Sequence, residues 1–349
     1  MPIPTINTDF LTNFLTGLLN IPSPTGYAHL AVAYTRQALS SFSELELSQT
    51  RKGALAVRLP GESESAPRAL TAHIDTLGAM VKEIKSNGRL KLTSVGSFAW
   101  NTVEGEGCKV FTRNGQALRG SFLHNKASSH VYGKEVADSP RDVENMEVRL
   151  DARTESEEET LGLGIDVGDF VVFDPRVEVT NGFVRSRHLD DKAGVACLVA
   201  AVKTLHEAGI KPAQTTHLLF SNYEEVGHGA ATGIPADVRE LVVVDMAAIG
   251  NGQTSDEFHA TICVKDSGGP YHHGLSLRLR QLADDHNIPY KVDIYPYYGS
   301  DGGAFWRAGG DVAIALIGPG VDASHNYERT HLDALVATAQ WIMAYLMSD

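Results

Sequence analysis

Apolar residues recur along this chain with two different spacings, and the change of spacing divides the sequence. Near the amino end, Phe10, Leu11, Phe14, Leu15, Leu18 and Leu19 fall on one face of a 3.6-residue repeat. That pattern predicts a helix with Asn7 or Thr8 as its cap. Ile21-Pro22-Ser23-Pro24-Thr25-Gly26 breaks it, because proline and glycine punctuate helices. A second helix is predicted over residues 28–39 and a strand over 68–72.

From about residue 76 to 178 the texture becomes that of short strands. Asn87-Gly88, Asn114-Gly115 and Asn181-Gly182 sit between runs of alternating or β-branched residues. Asn-Gly supplies the positive φ angles of a type I′ turn, so each pair predicts a hairpin. Residues 82–85 and 89–93 flank the first turn; residues 108–112 and 116–122 flank the second. The acidic run at 155–159 reads as a solvated loop or a helix start. Beyond Asp190 the pattern alternates strand and helix. Val195, Leu198, Val199, Val202 and Leu205 make one helical face, with Gly209 as the expected C-cap. Runs at 218–221, 241–244 and 312–317 are apolar throughout, as strands buried in a mixed or parallel sheet are. A final amphipathic helix is predicted at Leu332–Met347. The simplest architecture is an α/β domain made of two sequence segments and interrupted by a β module.

With 349 residues, of which 43% are hydrophobic and 21% charged, the chain can bury a substantial core. The net charge of −13 argues against nucleic acid and against an anionic membrane as partners. No stretch is apolar enough to span a bilayer, and the amino end lacks the basic start and apolar run of a secretory signal. Cys108, Cys197 and Cys263 are odd in number and widely spaced, which indicates neither a disulfide framework nor a thiolate zinc site. A cytoplasmic location is expected.

The strand-like runs lead directly into acidic and imidazole side chains: His73-Ile74-Asp75, His188-Leu189-Asp190-Asp191, Glu224-Glu225 and Asp245. Ligands bind at the carboxyl ends of strands in open α/β sheets. Each group has a plainer explanation by itself. His73 and Asp75 could form a surface pair, Asp190-Asp191 could cap a helix, Glu224-Glu225 could be a solvated turn and Asp245 a strand-end turn residue. Gathered at one place, however, such carboxylates would repel unless cations offset the repulsion.

His73-x-Asp75, Asp190-Asp191-Lys192-Ala193-Gly194, Glu224-Glu225-Val226-Gly227, Asp245 and His325 together resemble the TET and glutamyl aminopeptidase family of co-catalytic di-metal aminopeptidases, metallopeptidase family 42. The resemblance extends to Ser23-Pro24-Thr25-Gly26 and Gly299-Ser300-Asp301-Gly302-Gly303. It implies an α/β, mixed-sheet di-metal aminopeptidase domain of the phosphorylase/hydrolase-like kind, formed by residues 1–75 and 179–349. Residues 76–178 would form an inserted all-β, barrel-like dimerisation domain, with dimers assembled into a dodecamer.

The same resemblance implies the roles of individual residues. Asp190 would bridge two divalent metal ions, zinc in the first instance with cobalt or manganese as alternatives. His73 and Asp245 would complete one site, Glu225 and His325 the other. Glu224 would be the general base, and Asp75 would orient His73 by accepting its distal ring proton. The implied activity is removal of amino-terminal residues from short peptides by metal-activated water. A related di-metal amidase, deacylase or carboxypeptidase acting on a small dipeptide-like substrate is the alternative. Lys192 stands where arginine is commoner, and Gly302-Gly303 where alanine-type residues are. His331, six residues beyond His325, reads as a cap or surface residue, and His272-His273 as structural.

Overall fold

The computed structural model describes residues 2–349. The described residues form two compact units: residues 2–76 with 176–349, and residues 77–175.

Among the described residues, the first unit is built on a 10-stranded sheet. Its centre is four neighbouring parallel strands in the order Gln214–Ser221, Ser63–His73, Glu240–Val244 and Ala313–Val321. Antiparallel strands extend both sides, Leu55–Leu59 on one and Ala260–Asp266 on the other. Side chains alternate between the two faces of a strand, and the alternation decides what each face does. Val242, Val244, Ala315, Ile317, Leu70 and Ala72 enter the main core. Leu241, Val243, Ile314, Leu316 and Ala69 enter a smaller core on the other face. Thr71 and His73 share the parity of Ala69, and Asp245 that of Val243, so these polar residues belong to the face opposite the main core.

Helices Thr8–Leu19, Leu189–Glu207, His273–Asp285 and Leu332–Met347 supply the main core. The first is capped as the sequence predicts, with Asn7 Oδ1 accepting the Phe10 amide at 2.9 Å. Leu189–Glu207 is more deeply placed than its pattern suggested. Residues 189–202 are all buried, so this is a helix enclosed on every side rather than an amphipathic one. Small residues at Ala193, Ala196, Cys197, Ala200 and Ala201 let neighbouring helices pack closely on the sides away from the valines and leucines. It ends as expected: Gly209 has φ +66°, and Ile210 N–H donates to the Leu205 carbonyl at 3.0 Å. Lys192 is fully buried within this helix. Its ammonium donates to the Leu18 carbonyl at 3.0 Å and to the Ile21 carbonyl at 2.6 Å. Burial lowers its pKa to about 7.

The second unit is a closed barrel of strands Gly78–Ile84, Leu90–Val95, Met146–Leu150, Ala117–His124, Gly107–Phe111 and Phe170–Phe173 around its own apolar core. It is not purely β, since short helices occur at Ser129–Tyr132, Glu135–Asp138 and Glu157–Gly162. The last of these starts inside the acidic run, with Ser156 as its cap. The Asn-Gly turns correct the expectation of a uniform type I′ geometry. Gly88 and Gly115 have positive φ but Asn87 and Asn114 do not. The carbonyls of Lys85 and Thr112 accept from Gly88 and Gly115, which is a type I turn closed by a left-handed glycine. Only Asn181-Gly182 has positive φ at both residues. That hairpin belongs to the first unit, where Phe183–Ser186 pairs with Glu328–His331.

Gly318 lies where the sheet cannot admit a side chain. A Cβ there would sit 1.8 Å from the Asp245 carbonyl oxygen. Gly318→Ala is expected to cost about 1–3 kcal/mol through overpacking and to shift Asp245, a loss read from the midpoint of urea unfolding.

Candidate metal centre

The parallel strands all end on the same side of the sheet, and the expected ligands lie at those ends. His73 is the last residue of its strand, Asp245 follows Val244 directly, and Glu224-Glu225 forms a 3₁₀ turn just past Ser221. The Phe183–Ser186 and Glu328–His331 pairing brings in the other two, because Asp190 lies just after one strand and His325 just before the other. Tyr223 and His325 have left-handed backbone (φ +77° and +63°), as does His188 two residues before Asp190 (φ +72°). Such conformations are uncommon outside glycine and concentrate where a site over-determines the chain.

Asp190 is the geometric centre. Its Oδ1 is 2.9 Å from His73 Nε2, and its Oδ2 is 3.5 Å from His325 Nε2. His73 Nε2 is also 3.9 Å from Asp245 Oδ1 and 3.9 Å from Glu224 Oε2, while His325 Nε2 is 3.6 Å from Glu225 Oε2. Ligand atoms of His73, Asp190 and Asp245 lie within 4.8 Å of one another. Asp190, Glu224, Glu225, Asp245 and His325 line a cavity of about 600 Å³. The His325 side chain is 39% exposed and that of His73 only 2%, so the cavity opens on the His325 side.

Burial and mutual repulsion set the charges. Burial disfavours the His73 cation, but its bond to Asp190, with Glu224 and Asp245 nearby, holds its pKa well above the usual imidazole value. Burial works against the Asp190 anion too, yet His325 and His73 keep this carboxyl below the usual range. Burial pushes the other carboxyls up. Glu224 and Glu225 are well above the ordinary value, and Asp245, with Asp190 beside it, rises to about 7. Glu225 Oε1 and Asp245 Oδ1 are buried with no hydrogen-bond partner. Buried carboxylate oxygens without donors are costly unless a cation faces them. The donor set of imidazole nitrogens and carboxylate oxygens therefore fits divalent metal ions.

Asp75 departs from its expected role. His73 Nδ1 is 2.9 Å from the Asp75 main-chain carbonyl, whereas the Asp75 carboxylate is 3.9 Å away. That carboxylate instead accepts the Glu224 and Glu225 amides at 3.2 and 3.4 Å and the Thr25 hydroxyl at 2.6 Å. It braces the acidic turn rather than the imidazole.

Two further residues organise the site and were not singled out from the sequence as doing so. Glu328 accepts the main-chain amides of Asp190 at 3.1 Å and His325 at 3.0 Å. Its carboxyl is raised to about 8 by burial and by Asp190. Asp191 accepts the amides of His73 at 3.2 Å and Gly194 at 3.1 Å, which makes it the working helix cap while Asp190 faces the cavity. The spacing of Glu328, three residues after His325, was its only signal in the sequence. His331 caps the final helix through the Asp333 amide, and His272 caps His273–Asp285. Neither belongs to the Asp190 cluster.

A mixed sheet with acidic and imidazole side chains gathered at its strand ends is compatible with a metal-dependent enzyme. Comparison with known proteins gives the class. The family model described as M42 glutamyl aminopeptidase matches residues 53–341. The Bacillus subtilis protein named "Putative aminopeptidase YhfE" is 49% identical over 95% of this chain and 95% of its own. The lysyl aminopeptidase of Pyrococcus furiosus is 23% identical over 80% of each chain. Among solved structures, the Pyrococcus horikoshii TET1 peptidase superposes with a TM-score of 0.85 at 23% identity, covering 97% of this chain and 100% of that one. The chain belongs to the M42 glutamyl aminopeptidase family and is a peptide hydrolase.

The raised carboxyls give the metal dependence a definite sign. In the metal-free protein the raised carboxyls of Glu224, Glu225 and Asp245 bind protons more tightly than the unfolded chain does, so stability falls as pH rises above the ordinary carboxylate range, for Asp245 until about 7. Restoring a divalent cation to chelated protein is expected to raise the melting temperature more at pH 8 than at pH 5.5. Scanning calorimetry at the two pH values measures this, and an equal or smaller gain at pH 8 would contradict it.

Proposed function

We propose that this aminopeptidase removes amino-terminal residues from short peptides with two divalent cations, zinc in the first instance and cobalt or manganese as alternatives. His73, Asp190 and Asp245 would hold one ion, and Asp190, Glu225 and His325 the other. The observation that carries this reading is the Asp190 carboxylate, whose two oxygens address two different imidazoles at 2.9 and 3.5 Å. The cations would polarise the scissile carbonyl and lower the pKa of the attacking water.

The rest falls to the chain. Glu224 lines the cavity and leaves Asp190, Glu225, Asp245 and the two histidines to bind metal, so it is free to act as the base. Burial and its acidic neighbours raise its carboxyl in the metal-free protein, and the charge of two nearby cations would offset that and leave it ionised, as a base must be. It takes the proton of the attacking water and delivers it to the departing amine. Asp75 holds the Glu224 amide and so fixes where that carboxyl starts from. One of the cations would hold the substrate's free amine, which supports cleavage at the chain end.

The barrel unit, corresponding to the segment expected at residues 76–178, is proposed as the dimerisation module, with dimers building a dodecamer. The Pyrococcus horikoshii TET1 peptidase is described as assembling into a tetrahedron or a large octahedral shell, which supports this reading. A cytoplasmic site of action is part of the same proposal: Cys108, Cys197 and Cys263 are free and buried. Among the described residues no helix is long and apolar enough to cross a membrane.

Glu224→Gln is expected to retain metal while lowering kcat by about 10²–10⁴-fold, measured with aminoacyl chromogenic amides on zinc-, cobalt- or manganese-loaded enzyme. Near-normal turnover would remove Glu224 as the base. Acetylating the substrate's amino end should abolish cleavage, and continued cleavage would indicate a deacylase or amidase instead. Light scattering on the full chain should report a mass of twelve subunits; a stable monomer would overturn the assembly.

A further inference from the structure

Asp301 is 1% exposed, and the mechanism above gives it no part. Its carboxylate nonetheless ties together three segments of the site. Oδ1 accepts the Ala230 amide at 2.8 Å. Oδ2 accepts the Ser221 hydroxyl at 2.5 Å and lies 2.8 Å from Thr71 Oγ1, whose single proton is shared with the Leu219 carbonyl at 2.9 Å. Thr71 precedes His73 by two residues and faces the same way. Ser221 ends the strand that leads into Glu224-Glu225, and Ala230 closes the loop that follows them.

The packing at this point is tight. A Cβ on Gly229 would lie 2.1 Å from Asp301 Oδ1 and 3.0 Å from Glu224 Cα. Only a glycine lets the buried carboxylate come so close to the backbone of Glu224. The far end of the same loop is held by Lys52, whose ammonium donates to the Gly229 carbonyl at 2.9 Å. The near end is held by Asp75 at the Glu224 and Glu225 amides.

We propose that Asp301 is a positioning residue for Glu224, a buried latch that fixes the 224–230 loop against the strands ending at His73 and Ser221. The inference rests on Glu224 being the base. A carboxylate can accept from every group aimed at it, whereas an asparagine must turn its NH2 either toward the Ala230 amide, which can only donate, or toward the Ser221 and Thr71 hydroxyls, which must then reorient to accept it. The Asn variant therefore keeps the volume of the latch and loses its match. A displacement of about 1 Å at a proton-transferring group can cost on the order of 10²-fold in rate, so the consequence falls on turnover.

The test is steady-state kinetics on full-length, metal-loaded Asp301→Asn and Ser221→Ala proteins, with metal content and melting temperature measured on the same samples. Both variants should lose about 10- to 100-fold in kcat while KM stays within about threefold. Metal content should stay at the wild-type level. In a Glu224→Gln background the Asp301→Asn substitution should lower the residual rate little further, because the group it positions is already absent. Full kcat in folded, metal-replete variants would overturn the proposal. So would an equal fractional loss with and without Glu224, or a loss that tracks lost metal. Should Asp301→Asn fail to fold, Ser221→Ala decides, since it removes one hydroxyl and leaves the carboxylate in place. If Glu224→Gln alone proves fully active, the base assignment fails first, and that result is seen independently of Asp301.

Discussion

One carboxylate, that of Asp190, is shared between two imidazoles that belong to distant parts of the chain. Its oxygens diverge, so a group placed near one is held apart from a group near the other by the width of the carboxylate. His73 reaches it from the central sheet and His325 from the loop beside the small antiparallel sheet. For both contacts to form, the parallel strands must end level with one another, and the Asn181-Gly182 hairpin must return the chain to Glu328–His331. Much of the fold of the first unit can be understood as meeting these two conditions.

The surrounding acids divide into those that face the cavity and those that hold backbone. Glu225 and Asp245 present unpartnered oxygens, as groups awaiting a cation do. Asp75, Asp191 and Glu328 spend their oxygens on main-chain amides of the residues that carry the chemistry. This split gives a crowd of buried carboxyls two different electrostatic solutions: amide dipoles for one set and metal charge for the other.

Much of this could be read from the residues. The first and last helices, the strands leading into His73 and Asp245, and the Gly209 cap follow from periodicity and local turn chemistry. The deep burial of Leu189–Glu207 does not, because its alanines are compatible with either a solvent-facing or a helix-facing side, and only its neighbours decide. The Asn-Gly pairs located hairpins but not their geometry: whether asparagine takes positive φ depends on the length of the closing loop. Among site residues, His73, Asp190, Glu224, Glu225, Asp245 and His325 came from their order and the family resemblance; the last five line one cavity, and His73 reaches it through Asp190. Asp75 was expected to accept from the His73 ring, and its carboxylate accepts the Glu224 and Glu225 amides instead. A carboxylate two residues from an imidazole can bond the ring or the neighbouring turn, and the choice depends on where strand Gln214–Ser221 delivers its loop.

Lys192 adds a consequence for the amino-terminal segment. Its buried ammonium has as its acceptors the carbonyls of Leu18 and Ile21, and it lies two residues from Asp190. Without its first helix the protein would lose the Leu18 acceptor and part of the cover whose burial lowers the Lys192 pKa. Leu18 and Ile21 lie ahead of the stretch matched by the family model, residues 53–341, so these contacts to the helix bearing Asp190 come from outside the matched stretch. They supply the carbonyl acceptors for a lysine buried in the first turn of the helix that bears Asp190.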